Sequence, residues 1–102
     1  MAVVYITEYA RQGRDASGYQ MVVADLPSIA NQTVAITAGS VQSAALNPLT
    51  KFIRVSTDAI CSLEFGTNPT ATATTMRMPG NTTEYFSVPL GGNYKVAVIT
   101  NT

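Results

Sequence analysis

The chain has no histidine and no tryptophan, a single cysteine, and few charges for its 102 residues. Each shortage removes a class of function. Without histidine there is no ordinary general base near neutral pH, and Cys61 has no imidazole to activate it as a nucleophile. One cysteine and no histidine cannot make a zinc site. A single cysteine forms no intrachain disulfide, and its place in an apolar run reads as a small buried hydrophobe. Six acidic and six basic residues cancel. Phosphate binding needs a basic surplus, so nucleic acid is not an expected partner. No apolar run approaches the ~20 residues of a membrane span. MAVVYITEYA lacks the basic start and long apolar stretch of a signal peptide, so the expectation is a protein made and kept in a cytoplasm until assembly.

Other chemistry-bearing patterns are also missing. Gly39-Ser40 is not part of a nucleophile elbow. Gly91-Gly92 leads toward a strand rather than a phosphate-holding helix. Asp15, Asp25 and Asp58 sit in or beside turns, where aspartate is common. Glu64 and Glu84 are the one pair of carboxylates that strand pairing could bring together, as a glycosidase requires. Arg54, between apolar neighbours, suggests a structural ion pair or a snorkelling side chain. The expectation is a protein that is not an enzyme and has no cofactor.

What is present is β pattern. The 46% apolar content suffices for one folded core. Only 12% of residues are charged, with Thr, Ser, Ala and Asn in their place. Such a surface is cheap to desolvate and repels copies of itself weakly, as suits a protein living in an assembly. The centre of the pattern is TKFIRVSTDAICSLEFG, Thr50–Gly66. It reads as two strands linked at Asp58, with Cys61, Leu63 and Phe65 on one face and Ser62 and Glu64 on the other.

Before it, Ala2–Ala10 alternates, Tyr19–Asp25 is a second extended run stopped at Leu26-Pro27, and Thr33–Thr37 is a short strand. Ser40–Leu46 reads as a strand, with a short helix as the alternative. After it, TNPTATATT has no bulky anchor and reads as a loop or an exposed finger. Pro79-Gly80 suits the centre of a type II turn. Glu84–Val88 and Tyr94–Thr100 are the last strands. Tyr94, Val96 and Val98 share one face, and Ala97 and Ile99 the other, as in a strand buried on both sides. Short strands with frequent turn signals and no long helix predict an all-β protein, an antiparallel β-sandwich. Residues 1–30 read as an extended N-terminal arm and residues 31–102 as the sandwich domain. The contact candidates are Val3, Tyr5, Tyr9 and Tyr19 on the arm, and Pro69, Thr70, Thr72, Met76 and Met78 on the finger.

Several stretches carry a family resemblance. VYITEYA, a glycine-containing loop and IANQTVAIT resemble the N-terminal part of small proteins of phage and prophage head genes. The second half resembles the same group more strongly. There a Thr-x-x-Ile-Arg-Val strand (Thr50 to Val55) precedes a Phe-Gly-x-x-Pro-Thr-Ala loop (Phe65 to Ala71), a Pro-Gly turn, an aromatic strand and a final Lys-Val-Ala-Val-Ile strand (Lys95 to Ile99). The chain is thus similar to capsid decoration (cement) proteins of tailed phages. The resemblance implies a jelly-roll-like sandwich and a virion structural role on the capsid exterior. It also implies binding and stabilisation of the major capsid protein shell, and self-association as a homodimer or homotrimer. A tail or head-tail adaptor component is the alternative within the virion. A carbohydrate-binding β-sandwich is the alternative outside it, and five tyrosines are its only candidate aromatics besides phenylalanine.

Overall fold

A computed structural model describes residues 2–10, 12–14, 17, 20–24, 27–89 and 91–102, with backbone alone for 12–14 and 20–24. The strands are β1 (Val3–Tyr9), β2 (Gln12–Arg14), β3 (Gln20–Ala24), β4 (Ala30–Ala35), β5 (Val41–Gln42), β6 (Phe52–Thr57), β7 (Cys61–Gly66), β8 (Met76–Met78), β9 (Thr82–Ser87) and β10 (Lys95–Thr100). No helix occurs among the described residues. Two four-stranded antiparallel sheets carry the order β4-β1-β6-β9 (front) and β5-β10-β7-β8 (back), and β2 and β3 pair as a separate ribbon.

The period-two pattern explains which side chains meet between the sheets. Val4, Ile6, Val34, Ile53 and Val55 come from the front sheet; Cys61, Leu63, Met78, Val96 and Val98 come from the back, and Leu46 joins them from a loop. Phe65 and Phe86 meet across the layers with ring centroids 5.0 Å apart. Each fully buried aliphatic side chain contributes about 1.5–3 kcal/mol relative to exposure. Summed over this cluster, burial is the main force holding the layers together.

The Thr50–Gly66 stretch forms the two expected strands but not a hairpin. β6 lies in the front sheet and β7 in the back sheet. A tight two-residue hairpin needs positive φ at its centre, and the only described non-glycine residues with positive φ are Asn81 and Asn93. The chain therefore crosses between layers at Asp58–Ile60. Asp58 closes the corner: its Oδ1 accepts the Val3 N–H at 2.8 Å, and its own N–H donates to the Val3 carbonyl at 3.3 Å.

The expected arm is also corrected at its start. β1 is an interior strand with β4 on one edge and β6 on the other, so both its ladders are filled within the chain. Val4 and Ile6 are core residues. Residues 3–9 thus share their core with the rest of the chain, and a boundary at residue 30 would cut through the β1–β4 pair. β1 and β4 form the stem of a long antiparallel hairpin. The β2–β3 ribbon is nested inside that hairpin and continues it. The whole chain measures 45 × 26 × 22 Å.

Smaller shifts have local causes. The strand expected at Thr33–Thr37 sits at Ala30–Ala35, because pairing with β1 runs from Glu8↔Ala30 to Val3↔Ala35. Val34 and Ile36 still face inward, as the alternation requires. Only Val41–Gln42 of Ser40–Leu46 is regular strand, but the rest follows β10: Ser43 N–H donates to the Val96 carbonyl (2.8 Å) and Leu46 N–H to the Tyr94 carbonyl (2.9 Å). In the Pro79–Asn81 turn the left-handed position falls on Asn81 (φ 55°), not on Gly80 as a type II turn would require.

Candidate functional site

The two outer faces of the sandwich differ in kind. Outward on the back sheet point Gln42, Ser62, Glu64 and Ala97, opposite in phase to the core residues beside them. Ser62 and Ala97 are fully buried nonetheless. The segment 67–75 accounts for this, because it is strapped to that face. Gln42 Nε2 donates to Asn68 Oδ1 (2.9 Å) and to the Pro69 carbonyl (2.8 Å). The Ala71 N–H donates to Ser40 Oγ (2.9 Å). Asn101 Nδ2 reaches both Ser62 Oγ (2.6 Å) and the Ala73 carbonyl (3.1 Å). The strap ends in a turn in which the Thr75 N–H and hydroxyl both donate to the Thr72 carbonyl.

The expected finger is therefore a bound strap. Its lack of bulky side chains is what lets it lie flat, and Pro69 and Ala71 are its buried points. Sequence reasoning missed this because the anchors, Gln42 and Asn101, lie far from the strap along the chain. The buried apolar outer face of β10 was the available signal.

The front sheet's outer face is open around Tyr5, Asn31, Thr33 and Tyr85, whereas Tyr9 and Phe52 at its far end are buried and β3 lies near β6. Strand register arranges it in rows. Thr33, Tyr5, Ser56 and Thr83 lie side by side, then Asn31, Thr7, Arg54 and Tyr85, then Tyr9, Phe52 and Ser87. Tyr5 is 48% exposed and Tyr85 39%. Tyr85 stacks on Phe52 at 5.5 Å, which holds its ring in place. A shallow open depression of about 330 Å3 lies along β1 and β4, lined by Tyr5, Ile6, Thr7, Asn31, Gln32 and Thr33. Arg54 is half-buried in the middle of the face and forms no ion pair or hydrogen bond with a described residue; Asp15 and Asp25 lie outside the described residues.

The contact candidates scatter over both faces. Tyr5 is exposed on the front sheet, while Thr70, Thr72 and Met76 are exposed along the strap and β8. Val3 is half-buried beside Asp58. Tyr9 is buried at the end of the front sheet, next to Phe52. Pro69 and Met78 are buried as well. Met76 and Met78 share one side of β8, but only Met78 reaches the core. Tyr19 lies outside the described residues.

Glu8 is the unusual buried group. It follows Val4 and Ile6 on the inner face of β1 and is 2% exposed. Its Oε1 accepts the Asn47 N–H (2.6 Å) and the Thr50 hydroxyl (2.8 Å), so it pins the 47–50 turn to the end of the sandwich. Sequence reading passed over it because alternation placed it on a face without saying what would meet it. Burial, and secondarily the charge of Asp58, push the Cys61 thiol above its ordinary pKa. Glu64 and Glu84 belong to different sheets and are not cross-strand neighbours. Among the described residues no group of three metal-ligating side chains is gathered.

No protein-family model, curated protein or solved structure matches the chain.

Proposed function

We propose that this protein is a non-enzymatic virion component, a decoration protein that binds the major capsid protein shell of a tailed phage and stabilises it from outside. The supporting observation is the strapped back face. There Thr70 and Thr72 stand exposed on a segment fixed by side-chain hydrogen bonds at both ends. A rigid strap with no charged side chain between residues 67 and 75 loses little conformational entropy and little charge solvation on docking. Many copies on one shell then add weak contacts into a large total. The resemblance of Thr50–Val55, Phe65–Ala71 and Lys95–Ile99 to decoration proteins points the same way.

In this reading the sandwich is jelly-roll-like, supported by a chain that changes layer at every connection from β4 to β10 except β7–β8. The ribbon within the β1–β4 hairpin is the arm that reaches a neighbouring copy or the shell. The protein is made in the host cytoplasm and ends on the capsid exterior, and it self-associates there.

The test has two parts. Copy number in purified particles should lie near one per shell subunit; a handful per particle would indicate a tail or adaptor role instead. Replacing residues 11–28 by a short turn should leave the sandwich folded and weaken co-sedimentation with shells. Unchanged attachment would refute the arm, and Thr70→Asp tests the strap side in the same assay. Deleting β1 itself is uninformative, because it removes an interior strand.

A further inference from the structure

We infer that the outer face of the front sheet binds an acidic saccharide, a sugar chain carrying carboxylates, through Tyr5, Arg54 and Tyr85. The proposal does not rest on the decoration role; it concerns the opposite face from the strap.

Three observations carry it. First, Arg54 stands between Thr7 and Tyr85 without an acceptor among the described residues. A guanidinium presents a planar fork of donors that matches a carboxylate. A half-buried, unanswered fork is a binding feature rather than a stabilising one.

Second, the tyrosines flank it. Tyr5 lies in β1 and Tyr85 in β9, on either side of β6 and one row apart. Strand and residue spacings place their Cα atoms roughly 12 Å from each other. That separation suits a short oligosaccharide, with the arginine between the two rings. Both rings are exposed, and Tyr85 is held by its stack on Phe52. An exposed flat ring offers a sugar an apolar surface and a hydroxyl at its edge.

Third, the remaining groups are neutral hydrogen-bonding side chains. Thr7 and Thr33 have no partner among the described residues, and they edge the depression beside Tyr5. Ser56 and Thr83 extend the row on the other side. The exposed aliphatic and sulfur side chains, Ile29, Leu49 and Met76, all lie off these rows. The central part of a protein–protein interface is mainly apolar and needs such anchors. Hydroxyls around an aromatic pair and a lone arginine fit a polyhydroxylated anion better than a protein.

The test is an NMR titration of the full chain with a galacturonic acid trimer, and with a galactose trimer as the neutral counterpart. The acidic trimer should shift amides of β1, β4, β6 and β9 saturably. The neutral one should bind at least about tenfold more weakly, and affinity for the acid should fall as salt rises. Arg54→Gln should reduce acid binding by about tenfold or more, and Tyr5→Ala should reduce binding of the acidic trimer several-fold. Arg54→Lys keeps charge and stem but not the fork, so it should also lose affinity, and it replaces Arg54→Gln if that variant does not fold. Equal affinity for both trimers, no saturable shifts, or wild-type titration by both arginine variants would overturn the proposal. So would loss of shell attachment in Tyr5→Ala or Arg54→Lys without any saccharide binding, because the face would then belong to a protein partner.

Discussion

Replacing Glu8 tests how a buried carboxylate is used in this fold. Its Oε1 accepts two hydrogen bonds, at 2.6 and 2.8 Å, from Asn47 N–H and Thr50 Oγ1. Bonds to a charged acceptor contribute about 1.5–3 kcal/mol each, and removing the acceptor leaves the buried Thr50 hydroxyl and the part-buried Asn47 N–H without their partner. Relief of the carboxylate's own desolvation offsets part of this. Glu8→Ala should therefore cost about 3 kcal/mol, a large share of the ~5–15 kcal/mol stability of a typical domain. At ~4–8 °C per kcal/mol for a chain of this size, the melting temperature should drop by about 15 °C. Glu8→Gln keeps an oxygen acceptor of the same reach and should cost about 1 kcal/mol. Urea unfolding followed by circular dichroism measures both. A double-mutant cycle with Thr50→Val isolates the pair and should show a coupling of about 1 kcal/mol or more. The reasoning fails if Glu8→Ala lies within about 0.5 kcal/mol of wild type, or if Glu8→Gln costs as much as Glu8→Ala.

Two further predictions concern the back sheet. Asn101→Ala removes the link between Ser62 and the Ala73 carbonyl. It should cost about 1–2 kcal/mol and raise hydrogen exchange at the Ala71 amide more than at β6 amides, whereas equal exchange at both would mean the strap is not separately held. Cys61 is fully buried with its thiol pKa raised. The unfolded thiol ionises first as pH rises, so its contribution is full below the ordinary thiol range and is lost through alkaline pH as the unfolded state gives up its proton. Stability of the wild type should decline across that range relative to Cys61→Ala. Parallel profiles would count against the assignment.

Much of the architecture was legible in the residues because strand alternation is a local property. Val4 and Ile6, Val34 and Ile36, and Val96 and Val98 all face inward where the period of two put them. An all-β chain of two antiparallel sheets followed from short alternating runs and turn residues, with no run long enough for a helix. Composition also limited the chemistry, since the absence of histidine is a fact of the sequence.

Tertiary structure decided everything that depends on which strand lies beside which. Alternation states which face a side chain takes but not what covers that face. The sequence reading therefore paired β6 with β7, although they lie in different layers, and took β1 for an arm, although it sits between β4 and β6. The strap looked free because small side chains give no local signal of burial. It is held by Gln42 and Asn101, residues 26 and 28 positions from the groups they bind. The same holds for Arg54, whose neighbours Thr7 and Tyr85 come from strands on either side. A single residue's pattern could not show that it stands unanswered between them.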